Sequence, residues 1–198
     1  MKLNLPHLTY QRIGEIADQF LSKYHPKLSL PIPIEEIAES KLNLKIFEQI
    51  NLRKDFDVDS FLTSDLSTIF IDFNIYANVE NRTRCSIAHE IGHLILHGNL
   101  LSKQKIDSTG GLDKFLSSVN DDDYGWLEYQ AYSFASQVLV PKKLLLNQIN
   151  KSMGYLPNQA TLETISPIAQ DLLEIFHVSG DLMLRRLEKE GIVLSNRK

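Results

Sequence analysis

Two histidines and a glutamate form the pattern HExxH at positions 89–93 of the chain. In an α-helix, residues four apart lie about one turn apart on the same face, so His89 and His93 can present two imidazole nitrogens to one metal ion. Glu90 projects beside them, where a metal-bound water would lie. This spacing is typical of zinc peptidases, in which the metal and the glutamate make a nucleophile from water at neutral pH.

The residues around the motif predict a buried helix that carries it. Apolar side chains recur at helical spacing on both sides of the motif, which predicts a helix over residues 81–97. Upstream, residues 67–73 have the composition of a strand. The alternative is a core helix with two incidental histidines, but two histidines and a glutamate on an otherwise apolar helix are costly to bury without a role.

A zinc site needs a third protein ligand, and the sequence offers several candidates. A metzincin would have a glycine at position 96 and a histidine at position 99, where this chain has Leu96 and Asn99, so that class is excluded. His97 lies about 40° further around the helix. We predict that it is a core residue or a partner of the ligands. Three aspartates at 121–123 precede a helical pattern and are predicted to form a turn and N-cap.

Glu128 is the favoured third ligand. It shares one helical face with two alanines, Ala131 and Ala135. These side chains are small enough to let this helix approach the HExxH helix closely. We therefore predict that Glu128 completes a metal site with His89 and His93.

Four segments of the chain resemble the ImmA/IrrE family of metallopeptidases: residues 30–38, 69–72, 84–97 and 128–141. The third segment is close to the family pattern RFTxAHExGHxxLH, and the fourth follows ExEANxFAAxLLMP without a gap. The resemblance implies that zinc is bound by His89, His93 and Glu128. It also implies that Glu90 is the catalytic base and that the fold is a small α+β core of the gluzincin type.

The chain departs from the family patterns at three positions. Gln130 replaces a second glutamate, which favours Glu128 as the ligand. Tyr132 replaces an asparagine, and it either hydrogen-bonds a ligand or an oxyanion, or simply packs in the core. Cys85 replaces a phenylalanine and is predicted to be a small buried hydrophobic residue. Tyr129 and His97 are further candidate oxyanion donors.

The pattern of helices and strands predicts an α+β fold. A small, mostly antiparallel sheet would pack against helices that include the HExxH helix, and a helical segment would follow at the C-terminus. Strands are predicted at 41–47, 61–63 and 68–73. Helices are predicted at 13–24, 33–42, 81–97, 126–140, 142–150, 165–176 and 181–190. Residues 98–125 are predicted to be a loop with short helical pieces, which either borders the substrate cleft or is a surface insertion.

The predicted domain division places a zinc metallopeptidase domain at residues 1–155 and a helical, helix-turn-helix-like subdomain at 156–198. Residues 163–198 contain six acidic and five basic side chains, so they have no basic face for DNA phosphates. A packing role is therefore favoured over direct nucleic-acid binding. The mildly acidic chain as a whole, with 25 acidic and 21 basic residues, agrees with this expectation.

The sequence also bounds the cellular context. A single cysteine excludes an internal disulfide and is compatible with a reducing compartment. We find no signal-peptide pattern and no apolar run near the length of a membrane span, so a cytoplasmic location is expected.

The function predicted on these grounds is that of a zinc-dependent endopeptidase. The family resemblance implies one specific protein substrate, which is a helix-turn-helix repressor of phage, mobile-element or stress genes, or an antitoxin. The alternative is a regulatory or toxin–antitoxin binding partner whose metal site is structural or vestigial. A DNA-binding regulator that uses its C-terminal helices is a third possibility. Nothing in the residues indicates the oligomeric state.

Overall fold

The computed structural model describes residues 1–194, which contain ten α-helices and three β-strands. The helices are α1 (Tyr10–Tyr24), α2 (Ile34–Glu36), α3 (Leu52–Phe56), α4 (Phe73–Asn78), α5 (Glu80–Leu101), α6 (Thr109–Ser118), α7 (Asp121–Leu139), α8 (Lys142–Met153), α9 (Leu162–Phe176) and α10 (Gly180–Lys189). A π-helical turn, Ile37–Lys41, continues α2. The strands are β1 (Lys45–Gln49), β2 (Ser60–Leu62) and β3 (Thr68–Asp72). The predicted α+β class is confirmed.

The sheet has the strand order β1–β3–β2 and is mixed rather than mostly antiparallel. β3 pairs with β2 in antiparallel register, in which Phe61 lies opposite Phe70. β3 pairs with β1 in parallel, with Ile46 opposite Ile69. The prediction of a mostly antiparallel sheet was wrong because side-chain alternation reports which face is buried, whereas strand direction depends on the connections.

The HExxH helix, α5, lies at the centre of the fold and contacts both the sheet and α7. The central strand turns Ile69 and Ile71 into the core, where both are fully buried. Phe134 of α7 is also fully buried and meets Phe20 of α1 edge to face, with ring centroids 5.4 Å apart. α5 therefore lies in the apolar interior, and its polar side chains are positioned by rigid neighbours.

The segment 98–125 is more helical than predicted. α5 continues to Leu101, and α6 supplies ten further helical residues. Ser108 caps α6 by accepting a hydrogen bond from the backbone N–H of Gly111 at 3.3 Å. The glycine pair at 110–111 lowers helix propensity and obscured this helix in the sequence. Burial of Leu112 and Phe115 compensates for that cost.

α7 begins five residues before its predicted start, at the aspartate run. Asn120 is the N-cap, and its Oδ1 accepts from the backbone N–H of Asp123 at 2.9 Å. The three aspartates form the first turn, where negative charge is favourable. The carboxylate of Asp123 accepts from the N–H of Leu3 at 2.6 Å. The run is therefore structural, as predicted, but the prediction that it supplies the N-cap was wrong, because Asn120 caps the helix.

The C-terminal helices pack against the rest of the chain. Ser179 caps α10, and Arg186 of α10 is 1% exposed. Its Nε donates to the carbonyl of Val140 at 3.0 Å, and its Nη1 hydrogen-bonds Tyr10 and Glu190. This basic side chain is thus used inside the protein, in keeping with a packing role. The domain division at residue 155 stays a prediction, and its last residues, 195–198, lie outside the described chain.

None of the helices within residues 1–194 combines the length and apolar character needed to cross a membrane.

Candidate metal centre

Three side chains that sequence reasoning selected as ligands meet at the contact of α5 and α7. Nε2 of His89 lies 3.0 Å from Nε2 of His93 and 3.0 Å from Oε2 of Glu128. Nε2 of His93 lies 3.3 Å from Oε1 of Glu128. Their ligand atoms all lie within 4.8 Å of one another, so the three side chains could hold a metal ion. Within residues 1–194, this is the cluster of His, Cys, Asp or Glu side chains that meets that condition.

The geometry fits a small divalent cation. Ligand atoms about 2.0–2.2 Å from a tetrahedral zinc ion lie roughly 3.3–3.6 Å from one another. The three observed separations of 3.0–3.3 Å are close to that spacing. Two imidazoles and one carboxylate, without a thiolate, are also a donor set of catalytic zinc sites that keep one position open for water. The residues therefore fit the predicted cofactor.

The helices approach closely at this point because both have small residues there. Gly92 of α5 faces Ala131 of α7, and a Cβ added at Gly92 would lie 2.8 Å from the carbonyl oxygen of Ala131. Ala131 itself is fully buried. Glu128 lies one turn earlier on the same face of α7, so close contact at Ala131 brings its carboxylate to the histidines. The predicted approach of the two helices is confirmed.

The charges of this group depend on one another. Burial opposes protonation of His89, but the nearby carboxylates, chiefly that of Glu128, together outweigh burial and raise the pKa of His89 to about 9. Burial likewise opposes ionisation of Glu128, but the two imidazoles outweigh it and hold its pKa well below the usual value. The protein without metal therefore holds an ion pair where a metal would place its own charge.

Glu90 lies in the same cavity and is almost fully buried, with 3% of its surface exposed. Its Oε1 accepts a hydrogen bond from the hydroxyl of Ser60 in β2 at 2.6 Å. This contact fixes the carboxylate relative to the sheet. Sequence reasoning missed Ser60, because a single serine in a short strand, far from the motif in sequence, has no recognisable pattern.

His97 is not part of the metal group, in line with the prediction. It is 2% exposed, its Nδ1 lies 3.1 Å from Nδ1 of His93, and its Nε2 lies 3.2 Å from Oε1 of Gln130. Burial, with the neighbouring His93, lowers the pKa of His97 to about 3. Both ring nitrogens are engaged, so His97 is a poor candidate for the oxyanion donor. Gln130 is fully buried, and both ends of its amide are engaged, one by His97 and the other by the carbonyl of Pro6.

Two tyrosines border the site. Tyr132 meets His89 edge to face, with ring centroids 6.5 Å apart, and Arg185 lies over the tyrosine ring at 5.0 Å. Tyr124 also lines the cavity, and burial together with the carboxylates of Glu128 and Glu90 raises its pKa, so its phenol stays protonated. Tyr124 was missed, although its position four residues before Glu128 could have indicated it. Tyr129, which the sequence also offered as an oxyanion donor, stacks on the ring of a neighbouring tryptophan.

The site opens into a cavity of about 260 Å³, which we call the central cavity. One part is polar and contains the histidines and acids described above. The other part is apolar and includes side chains from the segment 98–125: Leu101, Ile106, Leu112, Phe115 and Leu116. The segment 98–125 therefore borders this cavity, whereas its role beside a substrate stays a prediction. Cys85 also lines the cavity, and burial raises the pKa of its thiol.

Comparison with known protein families gives a match that covers most of the chain. The family model Peptidase_M78, described as the IrrE N-terminal-like domain, matches residues 51–188. This chain belongs to that family. The match contains the three candidate ligands, Glu90 and Ser60, and it confirms the family resemblance inferred from the motifs. Membership in Peptidase_M78 indicates a metallopeptidase-like function.

A search of the curated proteins found no match. Among solved structures, a Mycobacterium tuberculosis transcriptional regulator matches with a TM-score of 0.56 and 13% sequence identity. The match covers 93% of this Peptidase_M78 chain and 48% of the regulator, so this chain spans about half the length of that protein. At this identity, the likeness concerns the fold alone.

Proposed function

We propose that this protein is a zinc-dependent endopeptidase that cleaves a specific partner protein, a helix-turn-helix transcriptional repressor. The observation that carries the proposal is the group His89, His93 and Glu128 beside Glu90 in one cavity. Membership in Peptidase_M78 supports peptide-bond hydrolysis as the reaction. A link to transcription is supported by the family resemblance and by a regulator that contains the same fold in about half of its chain.

A bound zinc ion would lower the pKa of a coordinated water to about 7 and would polarise the scissile carbonyl. Glu90 takes the proton from the attacking water and passes it to the leaving amine. The hydroxyl of Ser60 holds the Glu90 carboxylate in place for both transfers. The phenol of Tyr124, which stays protonated in the central cavity, is a candidate donor to the oxyanion, and Tyr132 is another.

The central cavity favours selective cleavage. Its volume of about 260 Å³ is enough for one or two side chains rather than for a folded element, so the substrate enters as an extended segment. The apolar walls formed by Leu112, Phe115 and their neighbours select an apolar side chain next to the scissile bond. A repressor whose exposed or mobile segment contains such a residue satisfies both conditions.

The test separates catalysis from metal binding. Glu90→Gln removes the proton acceptor and leaves the ligands, so we expect one zinc ion per chain, measured by mass spectrometry of the metal, and no cleavage of the partner repressor. The matched control is Glu80→Gln on the same helix, where the side chain is 79% exposed. This control should cleave at the wild-type rate. Cleavage by Glu90→Gln at that rate would overturn the mechanism.

A biological effect that survives both Glu90→Gln and chelation of the metal would instead favour a binding partner with a structural or vestigial metal site.

A further inference from the structure

A line of buried hydrogen bonds connects the metal group to the N-terminal segment of the chain. Nδ1 of His93 lies 3.1 Å from Nδ1 of His97, and Nε2 of His97 lies 3.2 Å from Oε1 of Gln130. The amide nitrogen of Gln130 donates to the carbonyl oxygen of Pro6 at 2.9 Å. Of these residues, the proposed reaction uses only His93. It gives no role to His97, Gln130 or Pro6.

The position of each proton follows from the end of the line at Pro6. A carbonyl oxygen can only accept, so the NH₂ of Gln130 faces Pro6 and its Oε1 faces His97. Oε1 also only accepts, so the proton of His97 is on Nε2. A neutral imidazole has one N–H, and Nδ1 of His97 therefore accepts from Nδ1–H of His93. Nε2 of His93, which faces His89 and Glu128, is then the ring nitrogen left to bind a metal ion.

The opposite orientation of the Gln130 amide would place the proton of His93 on the nitrogen that faces the metal group. With the Gln130 side chain turned over, its oxygen would oppose the oxygen of Pro6, and its NH₂ would donate to Nε2 of His97. The proton of His97 would move to Nδ1, and His93 would carry its own proton on Nε2, which faces the metal group. A protonated Nε2 cannot bind a metal ion.

We infer that Gln130 and His97 are positioning residues that fix His93 in the tautomer able to bind the metal, and that Pro6 orients Gln130. The inference rests on the proposed role of His93 as a metal ligand. It assigns the N-terminal segment a part in the site, because the carbonyl of Pro6 decides which end of the amide faces His97. Partners that hold a ligating histidine in one tautomer typically contribute about 10- to 100-fold to metal affinity.

Gln130→Met tests the line, because methionine has a similar volume but has no N–H to donate to Pro6 and only a weakly accepting sulfur. A matched control is Gln137→Met, further along α7. Gln137 is also buried, with 8% exposed, and its Nε2 donates to the carbonyl of Tyr10 at 3.2 Å. Both variants remove one buried amide and one bond to an N-terminal carbonyl, but only Gln130 contacts a histidine.

We expect the zinc dissociation constant of Gln130→Met to rise about 10- to 100-fold and that of Gln137→Met to stay at the wild-type value. Equal affinity in wild type and Gln130→Met would overturn the inference. If Gln130→Met does not fold, nitrogen NMR of ¹⁵N-histidine-labelled wild-type protein decides the question. The expected spectrum of the zinc-free protein has the His97 proton on Nε2 and a proton on Nδ1 of His93.

A His97 proton found on Nδ1 would contradict the inference even if the protein is a peptidase. Conversely, the proposed function fails if zinc-loaded wild type cleaves no protein, while the zinc-free tautomers can still be as expected. The two failures are therefore distinguishable.

Discussion

Gly92 sets the distance between the two helices that form the metal group, and Gly92→Ala tests this directly. A Cβ at this position would lie 2.8 Å from the carbonyl oxygen and 3.1 Å from the Cα of Ala131. Both are backbone atoms of a buried helix and cannot rotate away. To restore an ordinary contact of 3.4 Å, α5 and α7 must separate locally by about 0.6 Å.

The energy of this change has two opposing parts. Alanine gains about 1 kcal/mol over glycine in a helix interior. Overpacking against fixed backbone costs about 2–3 kcal/mol, the upper part of the usual range. The net loss of unfolding free energy is therefore about 1–2 kcal/mol, which lowers Tm by roughly 2–8 °C for a chain of this size.

The matched control is Gly125→Ala in α7. No heavy atom lies within 4 Å of a Cβ added there, so only the gain in helix propensity remains. We expect Gly125→Ala to raise Tm by about 2–4 °C. Thermal unfolding followed by circular dichroism, with both variants free of metal, gives the two shifts with opposite signs.

Gly92→Ala also tests whether the close packing of α5 and α7 is needed for metal binding. Zinc–ligand distances tolerate deviations of only about 0.2 Å, so a separation near Ala131 should also weaken zinc binding through Glu128. A Gly92→Ala protein that is stabilised as much as Gly125→Ala, with unchanged zinc affinity, would refute the reasoning that close helix approach forms the site.

Three further outcomes are expected. In the metal-free protein, the pKa of His89 is raised from 6.5 to about 9, so its ion pair with Glu128 stabilises the fold fully below pH 6.5 and is lost as pH rises through 9. Tm should fall between these pH values, and calorimetry should show that zinc binding releases a proton there. A Tm that does not change with pH would contradict the ion pair. Ser60→Ala should keep bound zinc but lower kcat about tenfold, because the Glu90 carboxylate loses its donor; an unchanged kcat would mean that the contact is incidental. Zinc at 100 times its dissociation constant should stabilise the fold by about 2.7 kcal/mol, and a chelator should reverse that gain; a Tm insensitive to the chelator would argue against a metal in this site.

Much of the site could be predicted from sequence because helical spacing determines which side chains share a face. The four-residue interval between His89 and His93, and the small residues after Glu128, were enough to place three candidate ligands on two helices in contact. That they bind zinc stays a prediction. Ser60 could not be found in this way, since its contact with Glu90 depends on how the sheet packs against α5.

The fold was predictable to a similar extent. The main helices were found from apolar periodicity, and the buried strand β3 from its β-branched and aromatic residues. α6 was obscured by two glycines whose low helix propensity is outweighed by tertiary burial of Leu112 and Phe115. The parallel pairing of β1 with β3 was missed, because it depends on the path of the chain between them rather than on either strand.

The most direct test of the central claim compares protein N-termini in cells that produce either the wild-type protein or Glu90→Gln at equal levels. New N-termini created by cleavage are identified by mass spectrometry across the proteome. We predict a cleavage site in one DNA-binding repressor, next to an apolar residue, which is present with wild type and absent with Glu90→Gln. Identical sets of N-termini in the two strains, or the same new site with both proteins, would contradict a specific endopeptidase that uses Glu90 as its base.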